Sequence, residues 1–139
     1  MTIATTGAGV PYNFPKGFNW DVLERQGTVL SHDAETMVID DHGIEWTFTG
    51  QGFDNFDGLG WAGTGLLTGI TALFGGTTLF FDFSDMSIDM AEFRFVMDHG
   101  DSRAGLRLML GGDDDISGAE LNDALLGLHG DDALHGFAG

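Results

Sequence analysis

The sequence predicts a mainly β chain: a β-rich N-terminal part, one or two short helices, and a C-terminal run of very short repeated strands. Three observations predict it. Glycine is abundant, at 23 residues with only 2 prolines, which favours tight turns over helix. Short runs rich in Val, Ile, Thr and aromatics recur between residues 27 and 83, bounded by turn residues. From about residue 109 the chain repeats itself every nine residues. At 139 residues it suits one domain with an appendage, divided as 1–108 and 109–139. The first part holds nearly all of the 12 Phe and 3 Trp, enough large apolar area for a core.

Residues 1–20 read as an extended lead-in, because Pro11 and Pro15 oppose helix. Strands are expected at 27–31, 36–40 and 44–49, the last two joined by a turn at Asp41-His42-Gly43. In the third, Ile44, Trp46 and Phe48 alternate with Glu45, Thr47 and Thr49, so one face is buried. Residues 58–81 run for 24 positions without a charge, long enough to span a bilayer. Seven glycines, five threonines and the Gly75-Gly76 pair make two strands, 66–74 and 77–83, the better reading. Over 85–98 the period changes: Met86, Met90, Phe93 and Met97 form a helical stripe that Ser84 or Asp85 would cap. Phe93, Phe95 and Met97 also alternate, which leaves a strand open. A second short helix fits 102–110, with Asp101 as N-cap, Leu106, Met109 and Leu110 buried, and Gly111 as its stop.

The nine-residue repeat has aligned columns: Gly112/Leu121/Gly130, Asp113/Asn122/Asp131, Asp114/Asp123/Asp132, Ile116/Leu125/Leu134 and Gly118/Gly127/Gly136. Glycine serves a bend, the apolar residue serves a core, and the carboxylate column serves a hard cation. Calcium takes six or more oxygens, from carboxylates and backbone carbonyls, and a glycine-rich bend offers both. Residues 108–139 hold seven carboxylates and no Lys or Arg, the composition of a solvated acidic tail. Such a tail has no reason to keep Ile116, Leu125 and Leu134 in phase with its aspartates.

The repeat resembles the nonapeptide G-G-x-G-x-D-x-U-x of the RTX family of secreted bacterial calcium-binding proteins, over about residues 109–139. The resemblance implies a parallel β-roll in which two units make one turn and an ion sits between bends on the same side. Bends on one side are then eighteen residues apart. The bends 109–114 and 127–132 share Gly112 with Gly130 and Asp114 with Asp132. The bend 118–123 carries Leu121 where glycine is expected. One well-formed calcium site is therefore expected between Asp114 and Asp132, flanked by Asp113 and Asp131, with a half-site around Asn122 and Asp123. The segment is expected to order only when calcium arrives. An open roll end lacks a neighbour to bury its apolar residue, which implies self-association there.

A net charge of −17 argues against nucleic acid and anionic membrane surfaces as partners. The absence of cysteine excludes disulfides, thiolate zinc sites and thiol nucleophiles. The five histidines form no HExxH, HxH or HxxxH pattern, and His129 and His135 read as solvent-facing. No nucleophile elbow or P-loop is present, so no enzyme activity is expected. Asp54, Asn55 and Asp57 read as a capped turn, with a second calcium site as the other option. The N-terminus lacks the pattern of a cleavable signal peptide. The RTX resemblance instead implies type I secretion, to a structural, adhesive or matrix role outside the cell. The alternative is a fragment of a larger secreted protease or lipase whose catalytic domain lies elsewhere.

Overall fold

The computed structural model describes residues 3–6, 20–99, 102–118 and 125–136. In chain order the elements are β1 (Ile3–Thr6), α1 (Trp20–Gln26), β2 (Thr28–His32), β3 (Thr36–Asp41), β4 (Ile44–Asp54), β5 (Thr64–Phe74), β6 (Thr78–Ser84), β7 (Ile88–Asp89), α2 (Met90–Asp98), α3 (Ser102–Met109), β8 (Asp115–Ser117) and β9 (Ala133–His135). The chain is mainly β. One sheet runs in the order β2-β3-β4-β5-β6-β1-β8-β9, and the short β7 pairs with β5 off this path.

From β2 to β6 the sheet is an antiparallel meander whose register follows the alternation in the sequence. Met37, Ile39, Trp46, Phe48, Ile70, Phe81 and Phe83 face inward and are buried. Removing each such side chain from water contributes roughly 1.5–3 kcal/mol. The turn between β3 and β4 falls at His42 and Gly43, both left-handed with φ of 52° and 87°. Two left-handed residues match the twist of the flanking strands. Gly75 and Gly76, at φ of 58° and 71°, join β5 to β6 in place of a bilayer-spanning segment. Among the described residues no helix is long and apolar enough to cross a membrane.

Three elements depart from the sequence reading. The strand expected at 44–49 continues to Asp54, because the chain bulges at Gly50 and Phe53 regains the core at 3% exposure. Helix α1 was not foreseen; it is seven residues long and buries Leu23. The helix expected over 85–98 starts only at Met90. Asp85 is left-handed at φ 56°, and Ile88 and Asp89 first pair with Leu67 and Leu66 of β5. Asp89, not Ser84 or Asp85, is the N-cap, its Oδ1 accepting from the amides of Ala91 (2.8 Å) and Glu92 (3.2 Å). Met90, Phe93 and Met97 keep the buried stripe, so helix prevails over strand here. Helix α3 lies where expected, with Leu106, Met109 and Leu110 buried; its proposed cap, Asp101, lies outside the described residues.

The N-terminal strand connects the two parts of the chain. β1 pairs antiparallel with β6 (Ile3↔Ser84 to Thr6↔Phe81) and parallel with β8 (Ile3↔Asp115 to Thr5↔Ser117). Ile116 of β8 is fully buried in the same core as Phe83 and Leu110. The boundary expected after residue 108 therefore falls inside α3, and the first repeat strand is part of the sheet.

Arg94 of α2 ties the helices to the loop after β4. Its guanidinium meets Glu24 of α1 at 2.7 Å and Asp57 at 3.0 Å, and donates to the carbonyl of Ala62 at 3.1 Å. Burial and a hydrogen bond with Asp98 raise the Glu24 carboxyl above its ordinary value against the pull of Arg94. At Asp57 burial also pushes upward, but the amides of Trp61 and Leu59 and the Arg94 guanidinium outweigh it and hold the carboxyl low. Asp57 thus closes a turn, the bland option for 54–57, and its carboxylate is committed to protein groups.

Two outcomes follow for urea unfolding. Arg94→Met leaves partly buried carboxylates without their cation and should cost about 3 kcal/mol at neutral pH. Asp57→Asn should cost about 1–2 kcal/mol at neutral pH. A depressed folded-state pKa gives stability that is present above the unfolded value and lost as pH falls through the folded one. The Asp57→Asn deficit should therefore shrink in acid; a deficit constant down to pH 3 would contradict the assignment.

Candidate metal centre

The eighteen-residue spacing appears in the structure as a stack. β8 and β9 pair in parallel with Asp115↔Ala133, Ile116↔Leu134 and Ser117↔His135. Residues eighteen apart are therefore neighbours, as the column alignment requires. The pairing extends past the strands: the amide of Ala133 donates to the carbonyl of Asp114 (2.7 Å), and the amide of Gly118 to that of His135 (2.8 Å).

The two bends are also cross-linked by their aspartates. The amide of Asp114 donates to Oδ1 of Asp132, and the amide of Asp131 donates to Oδ1 of Asp113, both at 2.9 Å. Each bend thus supplies a carboxylate to the backbone of the other. Asp114 is the only charged residue among the described ones that is buried, at 3% exposure. An ionised carboxylate taken out of water has to be met by donors or by a cation.

The glycines divide unequally. Gly130 is left-handed at φ 133°, and a side chain there would run into the carbonyl of Gly112 in the bend below. A methyl on Gly127 would overlap the carboxylate of Asp132. Gly112 itself has open space where a Cβ would stand. It contributes its carbonyl, against which Gly130 packs, and needs no special backbone freedom. Leu128, also left-handed at φ 70°, holds a conformation that favours glycine while its side chain packs against the core.

Of the expected site residues, Asp113, Asp114, Asp131, Asp132, Gly112 and Gly130 are brought together by the stack. Asn122 and Asp123 lie outside the described residues. The strand expected around Leu125 is not seen in 125–128, which has no regular structure, although Leu125 packs against the core. His129 and His135 are both exposed, as read from sequence, His135 with Nε2 3.3 Å from Oδ1 of Asp115. Among the described residues no three carboxylate or histidine side chains converge as a group able to hold a metal. An ion between these bends would therefore complete its shell with backbone carbonyls, as calcium does and zinc does not.

Sequence reasoning missed the neighbours from the body. Asp85 and Ser87, in the turn after β6, line a cleft of about 360 Å³ together with Asp114, Gly111 and Gly112. No spacing could reveal them, since they belong to no repeat and reach the bend only through the fold. The chain matches no protein-family model, no curated protein and no solved structure.

The glycine contrast is testable. Gly130→Ala should open the stack, exposing the amides of Asp114 and Ala133 to hydrogen exchange, while Gly112→Ala should leave their protection within about threefold of wild type. Equal loss in both variants would mean the bends are not stacked as described.

Proposed function

We propose that the chain is a non-enzymatic calcium-binding protein that acts outside the cell. The ion sits between the bends 109–114 and 127–132, with Asp114 and Asp132 as the main side-chain ligands and Asp113 and Asp131 beside them. The observation that carries this reading is the eighteen-residue parallel register of β8 on β9, with aspartates exchanged between the stacked bends. The register is a long-range property of the fold that agrees with a period read from residue types.

Electrostatics gives the ion its task. Seven carboxylates and no Lys or Arg occupy residues 108–139, so the stack cannot neutralise itself. Hydrophobic burial offers little help at the outer strand: Ile116 is fully buried, whereas Leu134 is 49% exposed. A divalent cation supplies what both terms lack. Binding to the folded form alone stabilises it by about 2.7 kcal/mol when the ion stands at a hundred times its dissociation constant. Extracellular calcium modules work at roughly 10⁻⁴–10⁻³ M. In this reading the repeats complete an RTX-type β-roll after type I secretion, in a structural, adhesive or matrix role. The half-exposed Leu134 marks the roll end as the place where a further repeat or a second copy would add.

Calorimetric titration with calcium tests the site. Asp114→Ala and Asp132→Ala should each weaken binding at least about tenfold, and Asp123→Ala much less. Equal losses in all three would sink the pairing, and no heat of binding in the wild type would sink the function. Hydrogen exchange with and without chelator tests the coupling. Protection over 110–135 should appear with calcium while that of β4 stays unchanged. Simultaneous loss in β4 on chelation would mean that body and repeats unfold as one unit.

A further inference from the structure

An apolar surface groove lies between α2 and α3. It is an open groove of about 700 Å³. Ala91, Phe95 and Val96 form one wall, Ala104 and Leu108 the other. Phe95 is 63% exposed and stacks on His99 at 4.0 Å. A large aromatic left in water beside an apolar groove marks an interaction surface.

The groove also carries one charge on each wall, Glu92 on α2 and Arg107 on α3. Neither makes an ion pair among the described residues. That is unusual for Arg107 in a chain with 22 acidic residues and 5 basic ones. The lining residues set the start of α2 beside the end of α3, so both charges stand at the same end of the groove. A surface with an apolar centre, an acid on one wall and a base on the other is complementary to itself.

We propose that two copies of the chain dimerise through this groove. A two-fold axis running along the groove lays α2 of one copy on α3 of the other. Phe95 of each copy then fills the groove of its partner, and Glu92 of each stands opposite Arg107 of the other. Such an isologous contact closes on itself and stops at the dimer. The apolar centre supplies affinity and the two crossed charge pairs fix the orientation. Copies of net charge −17 repel, but screening shortens that repulsion to about 8 Å at physiological ionic strength. The contact falls on the helix that carries two of the five bases, Arg103 and Arg107. It does not rest on the calcium reading; Arg107 and Leu108 also line the cleft beside Asp114, so the Glu92 reversal is the arm that stands clear of the bend.

Sedimentation equilibrium of the full chain at physiological ionic strength decides it, from micromolar to submillimolar concentration, with calcium and with chelator. A dimer is expected in both. Phe95→Asp should give a monomer. Glu92→Arg and Arg107→Glu should each raise the dimer dissociation constant about tenfold or more, and the doubly reversed protein should recover most of that loss. All three positions are on the surface side of their helices, so circular dichroism should be unchanged; if Phe95→Asp fails to fold, the charge-reversal set still decides. The proposal is overturned by a wild type that is monomeric throughout, or by a dimer indifferent to both single reversals. A dimer that dissociates on chelation also overturns it, because the roll end would then be the contact. So does a monomer whose groove binds the apolar dye anilinonaphthalene sulfonate, because its occupant would then be a small ligand.

Discussion

Strand β1 is the constraint on which the arrangement of the two parts depends. It is four residues long and lies between β6 and β8, antiparallel to one and parallel to the other. Without it the meander would end at β6 and the repeat stack would have no sheet to join. Its position resolves a topological difficulty. A parallel strand cannot follow its neighbour through a tight turn and needs a crossover. Here β1 and β8 are separated by the whole body of the chain, and because β6 ends at Ser84 and β8 begins at Asp115, both beside Ile3, the chain leaves and rejoins the sheet at the same end. The segment that carries α2 and α3 returns the chain to the end it left, so β8 runs antiparallel to β6 and parallel to the β1 strand between them.

Much of this was legible in sequence where the signal was local and periodic. The alternation in 44–49, the turn at Asp41-His42-Gly43 and the Gly75-Gly76 turn all stand as read. The repeat columns predicted which residues become neighbours, and the β8–β9 register agrees with them residue by residue. What was not legible depends on contacts far apart in sequence. The methionine stripe from Met86 suggested a helix start four residues too early, because Ile88 pairs with Leu67 and no local pattern encodes that partner. Met86 is buried, as the stripe required, but it stands before the helix and not in it. The extension of β4 past Thr49 was hidden by Gly50 and Gly52, which weaken a strand pattern even where they mark a bulge. At the candidate site the ligand column was readable, whereas the approach of Asp85 and Ser87 was not.

The two parts of the chain handle negative charge differently. In the body a single arginine, Arg94, meets Glu24 and Asp57 at once, with the amides of Trp61 and Leu59 helping to hold Asp57 ionised. Glu24, whose carboxyl is raised by burial and by Asp98, has the opposite pH sign. Its contribution is full below the unfolded value and is lost as pH rises through the raised one. The body thus balances one acid against another around a fixed internal cation. Residues 108–139 contain no Lys or Arg, and the base beside them is Arg107 of α3, which lines the cleft that includes Asp114. Asp113 and Asp132 each spend one oxygen on an amide of the facing bend, which orients both carboxylates without neutralising either. Asp114 is buried in the same stack. In the proposed reading, the carboxylates that repel one another in this stack are the ones that would answer to calcium.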